Sequence, residues 1–235
     1  MDINYIHGFD FTHIDDFKSI QDELRKQIYL RNTFSFDHVE FVAGVDISYW
    51  EKDGVQYGAC SIVVVNYRTK KSVKKISSFG TVTVPYIPGF LAFRELPLFL
   101  ETVKKLSYNP DIFIFDGNGY LHGNCMGIAT HASFFINTPT IGVAKSYYRL
   151  DNIDYEMPEN KIFAHSDIIV NDEVRGRALR TKKDVKPIFV SCGNYIDLDT
   201  STKITCHLVN QISRVPIPTR LADLETNELR RYLSQ

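Results

Sequence analysis

The sequence predicts a single α/β domain, a mixed sheet flanked by helices, and three observations carry that reading. Residues 41–84 contain three runs rich in Val, Ile and Thr, separated by turn residues. Leu96, Phe99, Leu100, Val103 and Leu106 then repeat at helical spacing. Ile112–Phe115 closes the series as a short run without a polar member. A strand, a helix and a strand in succession form a crossover, so Ile112–Phe115 is expected to lie parallel to a strand of the first group.

Residues 1–40 carry mixed charge, and Ile14, Phe17, Ile20, Leu24 and Ile28 step by three or four, which predicts one amphipathic helix in an extension packed on the domain. The strand-like runs are Phe41–Ile47, Ala59–Asn66 and Val73–Val84. Asp53-Gly54 and the segment 66–71 supply turns, so an antiparallel meander is predicted. Pro97 fits only the first turn of the next helix, which places the helix start beside Glu95. Further on, the pattern predicts a helix over Met126–Ile136 and a strand over Thr140–Val143. Strands over Ile168–Val170, Val174–Leu179 and Ile188–Ser191 follow, with helices near Thr200–Gln211 and Leu221–Leu233. No repeat, low-complexity segment or linker divides the chain, so residues 1–235 are read as one domain.

Length and composition bound the function. The 235 residues, 44% hydrophobic and 23% charged, suffice for a core that needs no disulfide or zinc. The formal charge is −1, from 27 basic and 28 acidic residues, which excludes an overall basic coat but not a local basic groove. Cys60, Cys125, Cys192 and Cys206 form no C-x-x-C pair, the N-terminus carries no secretion signal and no apolar run is long enough to span a bilayer. A reduced, cytoplasmic protein without a membrane partner is expected.

Asp46 interrupts the apolar run FVAGVDISY and Asp116 ends IFIFDGNGY. A carboxylate in either place is costly unless it is paired or bound to a cation. Adjacent strands would bring both to one edge of the sheet. With Glu95 they offer three hard oxygen donors to a cation such as Mg²⁺, the arrangement phosphodiester hydrolysis requires. The competing reading is that both aspartates merely cap turns. Glycines at 117, 119 and 123 allow close backbone approach and offer N–H groups to a ligand, or form a tight strand-to-helix turn. His122, Cys125 and His131 match no standard zinc spacing. Pro85-Tyr86-Ile87-Pro88 is a stiffened tip that presents Tyr86 and Ile87 as a wedge between bases, or buries Tyr86 in the core. The segment 175–186, with Arg175, Arg177, Arg180, Lys182, Lys183 and Lys186, is a backbone track or a solvated face.

Taken together, GVDISYW (44–50), PYIPGFLAFRE (85–95), FDGNGYLH (115–122), GIATHASFF (127–135), TPTIGVAKS (138–146) and PTRLAD (218–223) resemble the endonuclease V family. The resemblance covers residues 41 to 223. It implies a ribonuclease H-like fold and an endonuclease that recognises inosine and cuts the second phosphodiester bond on its 3′ side, leaving a 3′-hydroxyl and a 5′-phosphate. It also implies Mg²⁺ as cofactor, with Mn²⁺ able to substitute. Asp46 and Asp116 correspond to the metal-binding carboxylates, Glu95 to the third acid and Asp223 to a catalytic position. His122 and Lys145 correspond to residues at the scissile phosphate. Tyr86 matches the wedge, with Ile87 beside it; Gly117, Gly119 and Tyr120 match part of the base pocket. Asn118 departs from the D-G-H-G of related sequences. Arg180 and Lys182 are the expected phosphate contacts. The expected partner is inosine-containing DNA, with RNA as the alternative, and a monomer is expected. Two rivals remain: a silent inosine-binding protein, whose mark would be loss of an acid at 46, 95 or 116, and another ribonuclease H-like nuclease.

Overall fold

The first three β-rich runs pair as an antiparallel meander in the computed structural model, which describes residues 1–9, 13–150 and 153–235. β1 (Phe41–Lys52), β2 (Val55–Asn66) and β3 (Ser72–Thr81) are joined in order. Asp53 and Gly54 both take positive φ, as a two-residue hairpin demands. β3 stops at Thr81 rather than running on to Val84. Beyond it lie Pro85 and Pro88, which have no N–H to donate to a ladder.

α2 (Leu91–Val103) departs from expectation. It begins at Leu91, after Gly89 at φ +85°, so Glu95 lies in its second turn and Pro97 in its interior. An interior proline costs about 3 kcal/mol in an isolated helix. Here Phe93, Leu96, Phe99, Leu100 and Val103 are all buried, and their burial offsets it.

After α2 the chain forms β4 (Ile112–Phe115), α3 (Ile128–Ile136), β5 (Thr140–Ala144), β6 (His165–Val170), β7 (Glu173–Leu179), β8 (Ile188–Asn194), α4 (Leu198–Leu208) and α5 (Ile217–Leu233). The sheet order is β3-β2-β1-β4-β5-β8-β7-β6, with β4 parallel to β1 as the crossover requires. Alternate residues of β1 and β4 face opposite layers. Ala43, Val45, Phe113 and Phe115 pack against α2 and α3, whereas Val42, Ile112 and Ile114 pack against α4 and α5. α5 crosses β1 so closely that a Cβ on Gly44 would lie 2.1 Å from the Pro218 carbonyl carbon.

The N-terminal helix is α1 (Ile14–Arg25). Phe17 stacks on Phe93 at 4.3 Å between ring centroids, and Leu24 packs with Met126 and Phe134. Ile14, at 51% exposure, faces outward, so the buried stripe of this helix is narrower than its apolar spacing suggests. No helix among the described residues is long and apolar enough to cross a membrane.

Candidate active site

The register of β1 and β4 builds the site. Val45 pairs with Phe115 and the Asp116 N–H donates to the Val45 carbonyl at 3.0 Å, so Asp46 and Asp116 emerge side by side where both strands leave the apolar core. α5, held against Gly44, adds Asp223. The three carboxylates offer oxygens that all lie within 4.8 Å of one another, and among the described residues this is the group able to gather on a metal ion. From the opposite layer α2 brings Glu95, which with Asp46 and Asp116 lines a cavity of about 20 Å³, closed by Val45, Ile47, Phe115 and Ile128. That volume suits one water molecule or one small ion.

The electrostatics fit a hard cation. Burial pushes the Asp46 carboxyl up to about 7; the hydroxyl of Thr226, which donates to Asp46 Oδ2, opposes the shift and the charge of Asp116 adds to it. Burial also pushes Glu95 up to about 8, against the Tyr49 hydroxyl that donates to it at 3.0 Å. Acids so raised are short of positive charge, and an oxygen-only donor set is what Mg²⁺ or Mn²⁺ binds. Lys145, immediately after β5, places Nζ 2.5 Å from Asp116 Oδ2 and 3.4 Å from Asp223 Oδ1. Burial works against its charge, but Asp116, Asp223 and Asp46 together more than offset this and hold the ammonium above its ordinary pKa. Arg220 donates to the other oxygen of Asp223 at 2.5 Å.

Next to the carboxylates lies a second cavity of about 220 Å³, with Ile128 in the wall of both. Tyr86, Leu91, Asn118, His122 and Tyr148 contribute to its lining. Tyr86, at 68% exposure, forms the rim and is not a core residue; Ile87 is half-buried, its carbonyl accepting from the Phe90 N–H. His122 stands apart from the acidic cluster, stacked on Tyr148 at 5.3 Å, and burial pushes its pKa down to about 4, so its ring is neutral at neutral pH. The Asn118 side-chain oxygen is buried without a protein partner, a costly state that a donor from a ligand would relieve.

Several expected contacts lie elsewhere. The N–H of Gly119 is not offered to a ligand: it donates to Ser191 Oγ at 2.9 Å, and a Cβ there would meet the Cys192 carbonyl oxygen at 2.1 Å. Gly117 packs against Ile128. Tyr120 turns its hydroxyl to Glu173 at 2.5 Å and its ring face to Arg175. The residues of this loop in the cavity wall are therefore Asn118 and His122. Arg180 is buried, its guanidinium donating to the carbonyls of Glu159, Val185 and Pro158. Lys182 donates to the Gln211 carbonyl. Neither joins the acidic cluster. Arg177 pairs with Asp167 and Asp199, and Arg175 with Glu173. His131 faces His7 at 2.8 Å, away from Cys125, whose sulfur lies against Arg175, so the zinc constellation does not assemble.

Sequence reasoning missed Thr226, Tyr49, Tyr148 and Arg220. Of these only Thr226 and Arg220 carried a signal: each lies three residues from Asp223 on an amphipathic helix, hence on its face.

The comparisons agree with this geometry. The Endonuclease V family model matches residues 22–224. An endonuclease V of Clostridium acetobutylicum is 58% identical over 229 residues, covering 97% of this chain and 98% of its own. The crystal structure of the Bacillus subtilis endonuclease V is 54% identical with a TM-score of 0.96, covering 99% of this chain and 98% of that one. The Ciona intestinalis endonuclease V, solved with a 24-mer DNA containing an inosine followed by a ribo-adenosine, is 31% identical with a TM-score of 0.81 over 94% of this chain and 98% of its own. With acidic side chains from β1, α2, α5 and the end of β4 gathered at one site and a family match that spans them, the chain is a nuclease and belongs to the endonuclease V family.

Proposed function

We propose that this endonuclease recognises inosine in DNA, with RNA as a second substrate, and hydrolyses the second phosphodiester bond on the 3′ side of the lesion with Mg²⁺, or Mn²⁺ in its place. The observation that carries the reading is the juxtaposition of the Asp46, Glu95, Asp116 and Asp223 carboxylates with a base-sized cavity lined by Tyr86, Asn118 and His122. Support for inosine also comes from the relative that was solved with inosine-containing DNA. Hypoxanthine carries a hydrogen on N1 where adenine carries a lone pair, so an acceptor such as Asn118 Oδ1 favours the deaminated base.

In this account Asp46, Asp116 and Asp223 hold the cation, with Glu95 on the far wall of the small cavity. When bound, the ion lowers the pKa of the attacking water and neutralises charge on the phosphate. Thr226 fixes the orientation of Asp46 through its hydroxyl. Lys145, kept protonated by Asp116, faces the scissile phosphate and meets the charge that develops on it. Tyr86 fills the gap left by the displaced base, and neutral His122 forms the wall opposite with Tyr148. Cleavage leaves a 3′-hydroxyl and a 5′-phosphate and serves DNA repair. We further propose a monomer acting in the cytoplasm, a reading supported by four free thiols. The test is cleavage of matched inosine-containing single-stranded DNA, duplex DNA and RNA with product ends mapped. Cutting that ignores inosine, or full activity in excess chelator, would overturn the proposal.

A further inference from the structure

Past Arg220, which donates to Asp223, lies a cavity of about 210 Å³, close in size to the 220 Å³ one beside Tyr86. Its chemistry is opposite. Ile212, Ile217, Leu221 and Leu224 line it, and no buried acceptor waits there. Ile212 is 89% exposed and Leu224 45%, an unusual display of aliphatic surface beside a catalytic centre. The loop that presents Ile212 is fixed in place. Asn210 Oδ1 accepts from the N–H groups of Ile212 and Ser213 at 2.9 and 3.1 Å. Lys182 donates to the Gln211 carbonyl, and Arg214 reaches the carbonyls of Lys186, Pro187 and Lys145. The sequence around this cavity thus ties it to Lys145, and Arg220 completes the link: it lines the cavity and donates to Asp223.

Shared residues and contacts therefore link these places in series: the base cavity and the carboxylates meet at Ile128, and Asp223 and the apolar cavity meet at Arg220. A strand whose base occupied the first cavity and whose cut bond lay over the carboxylates would run on into the last one. We infer that the Ile212–Leu224 cavity is a stacking subsite for a nucleobase on the 3′ side of the cut bond. Arg220, which lines it and pairs with Asp223, and Lys145, which pairs with Asp116 and Asp223, supply cationic groups complementary to the phosphates that flank such a base. Its wall is mainly aliphatic, with Asn210, Ser213 and Arg220 as its polar members, and an aliphatic surface accepts the face of any base, so the subsite holds the strand without reading sequence. The inference rests on the proposed position of the cut, 3′ to a base held beside Tyr86.

The test measures binding in an Asp46→Asn background, so that affinity is read without turnover. Single strands carrying one inosine are compared with strands in which one base is removed, leaving the sugar and phosphate, at each of the first three nucleotides 3′ of the cut and at one nucleotide 5′ of the inosine. In the otherwise unaltered protein, base removal at one of the 3′ positions should weaken binding about tenfold, the scale of one lost stacking contact. The 5′ removal should leave binding unchanged. Ile212→Ala with Leu224→Ala, two exposed sites, should weaken binding to the intact strand by a similar factor and abolish the extra penalty at that position. Preference for inosine over adenine should stay intact in the variant. Equal binding by the double variant, or a penalty at no 3′ position, overturns the subsite, including the case in which this face takes a protein instead. Loss of inosine preference in the unaltered protein would instead overturn the functional reading on which the inference rests.

Discussion

Asp46 and Glu95 hold carboxyl groups that burial pushes up to about 7 and about 8. A carboxyl whose folded-state pKa lies above its unfolded value keeps its proton while the unfolded chain releases one. Its stabilising contribution is thus present at low pH and is lost as pH rises through the folded value. In chelator the unfolding midpoint should fall between pH 5 and 8, and Mg²⁺ should reverse most of the fall. Asp46→Asn should flatten the metal-free profile; if that variant keeps the full pH slope, Asp46 is not the source. One step outward, Thr226→Val removes the hydroxyl that orients Asp46. Outer partners of metal ligands are worth about 10- to 100-fold in affinity or activity. The Mg²⁺ concentration for half-maximal cleavage should therefore rise about tenfold, and an unchanged titration would remove Thr226 from the account. Tyr86→Ala should weaken binding to inosine in a duplex more than in a single strand, where little stacking must be broken. An equal loss on both would make Tyr86 a general stacking residue.

At the scale of elements, α5 reaches the site because Gly44 lets it lie against β1. Gly44→Ala would drive a methyl into the Pro218 backbone, at a cost of about 1 to 3 kcal/mol or more. It should also displace Asp223 and Thr226, so the denaturation midpoint and Mg²⁺ affinity should fall together; a drop in stability alone would separate packing from site geometry. Arg180→Ala should cost about 1 to 3 kcal/mol, because one buried and two part-buried carbonyls lose a charged donor, while the salt dependence of binding should not change. A shallower salt slope would restore the phosphate contact that the sequence suggested. The elements differ in how legible they were. Asp46 and Asp116 could be read because each breaks an apolar strand, and a crossover makes those strands neighbours. Asp223 has no such local mark, being one acid on an amphipathic helix, and only the resemblance to a family placed it. Thr226, 180 residues from Asp46, joins it through packing that no local pattern encodes. In the charge run from Arg175 the sequence did not show that Arg177 and Arg180 have partners, Asp167, Asp199 and the carbonyls of Pro158 and Glu159, supplied from elsewhere in the chain. Pro97 breaks the helix-start rule because the burial of α2 outweighs the cost of one missing N–H.

The whole molecule brings three parts together: a cavity lined by Tyr86, Asn118 and His122, a carboxylate cluster and an apolar socket. If the proposed function holds, separate places for reading a base and for breaking a bond put the cut at a fixed offset from the lesion, set by the distance between cavity and carboxylates. The most direct measurement maps product ends of a 5′-labelled strand carrying one inosine, with Mg²⁺ and with excess chelator, beside the same strand carrying adenine. The account predicts one product ending in a 3′-hydroxyl at the second bond 3′ of inosine, none from the adenine strand, none in chelator, and a loss of at least about a hundredfold with Asp116→Asn. Equal cutting of both strands, scattered ends, or near-normal cleavage by Asp116→Asn would contradict it.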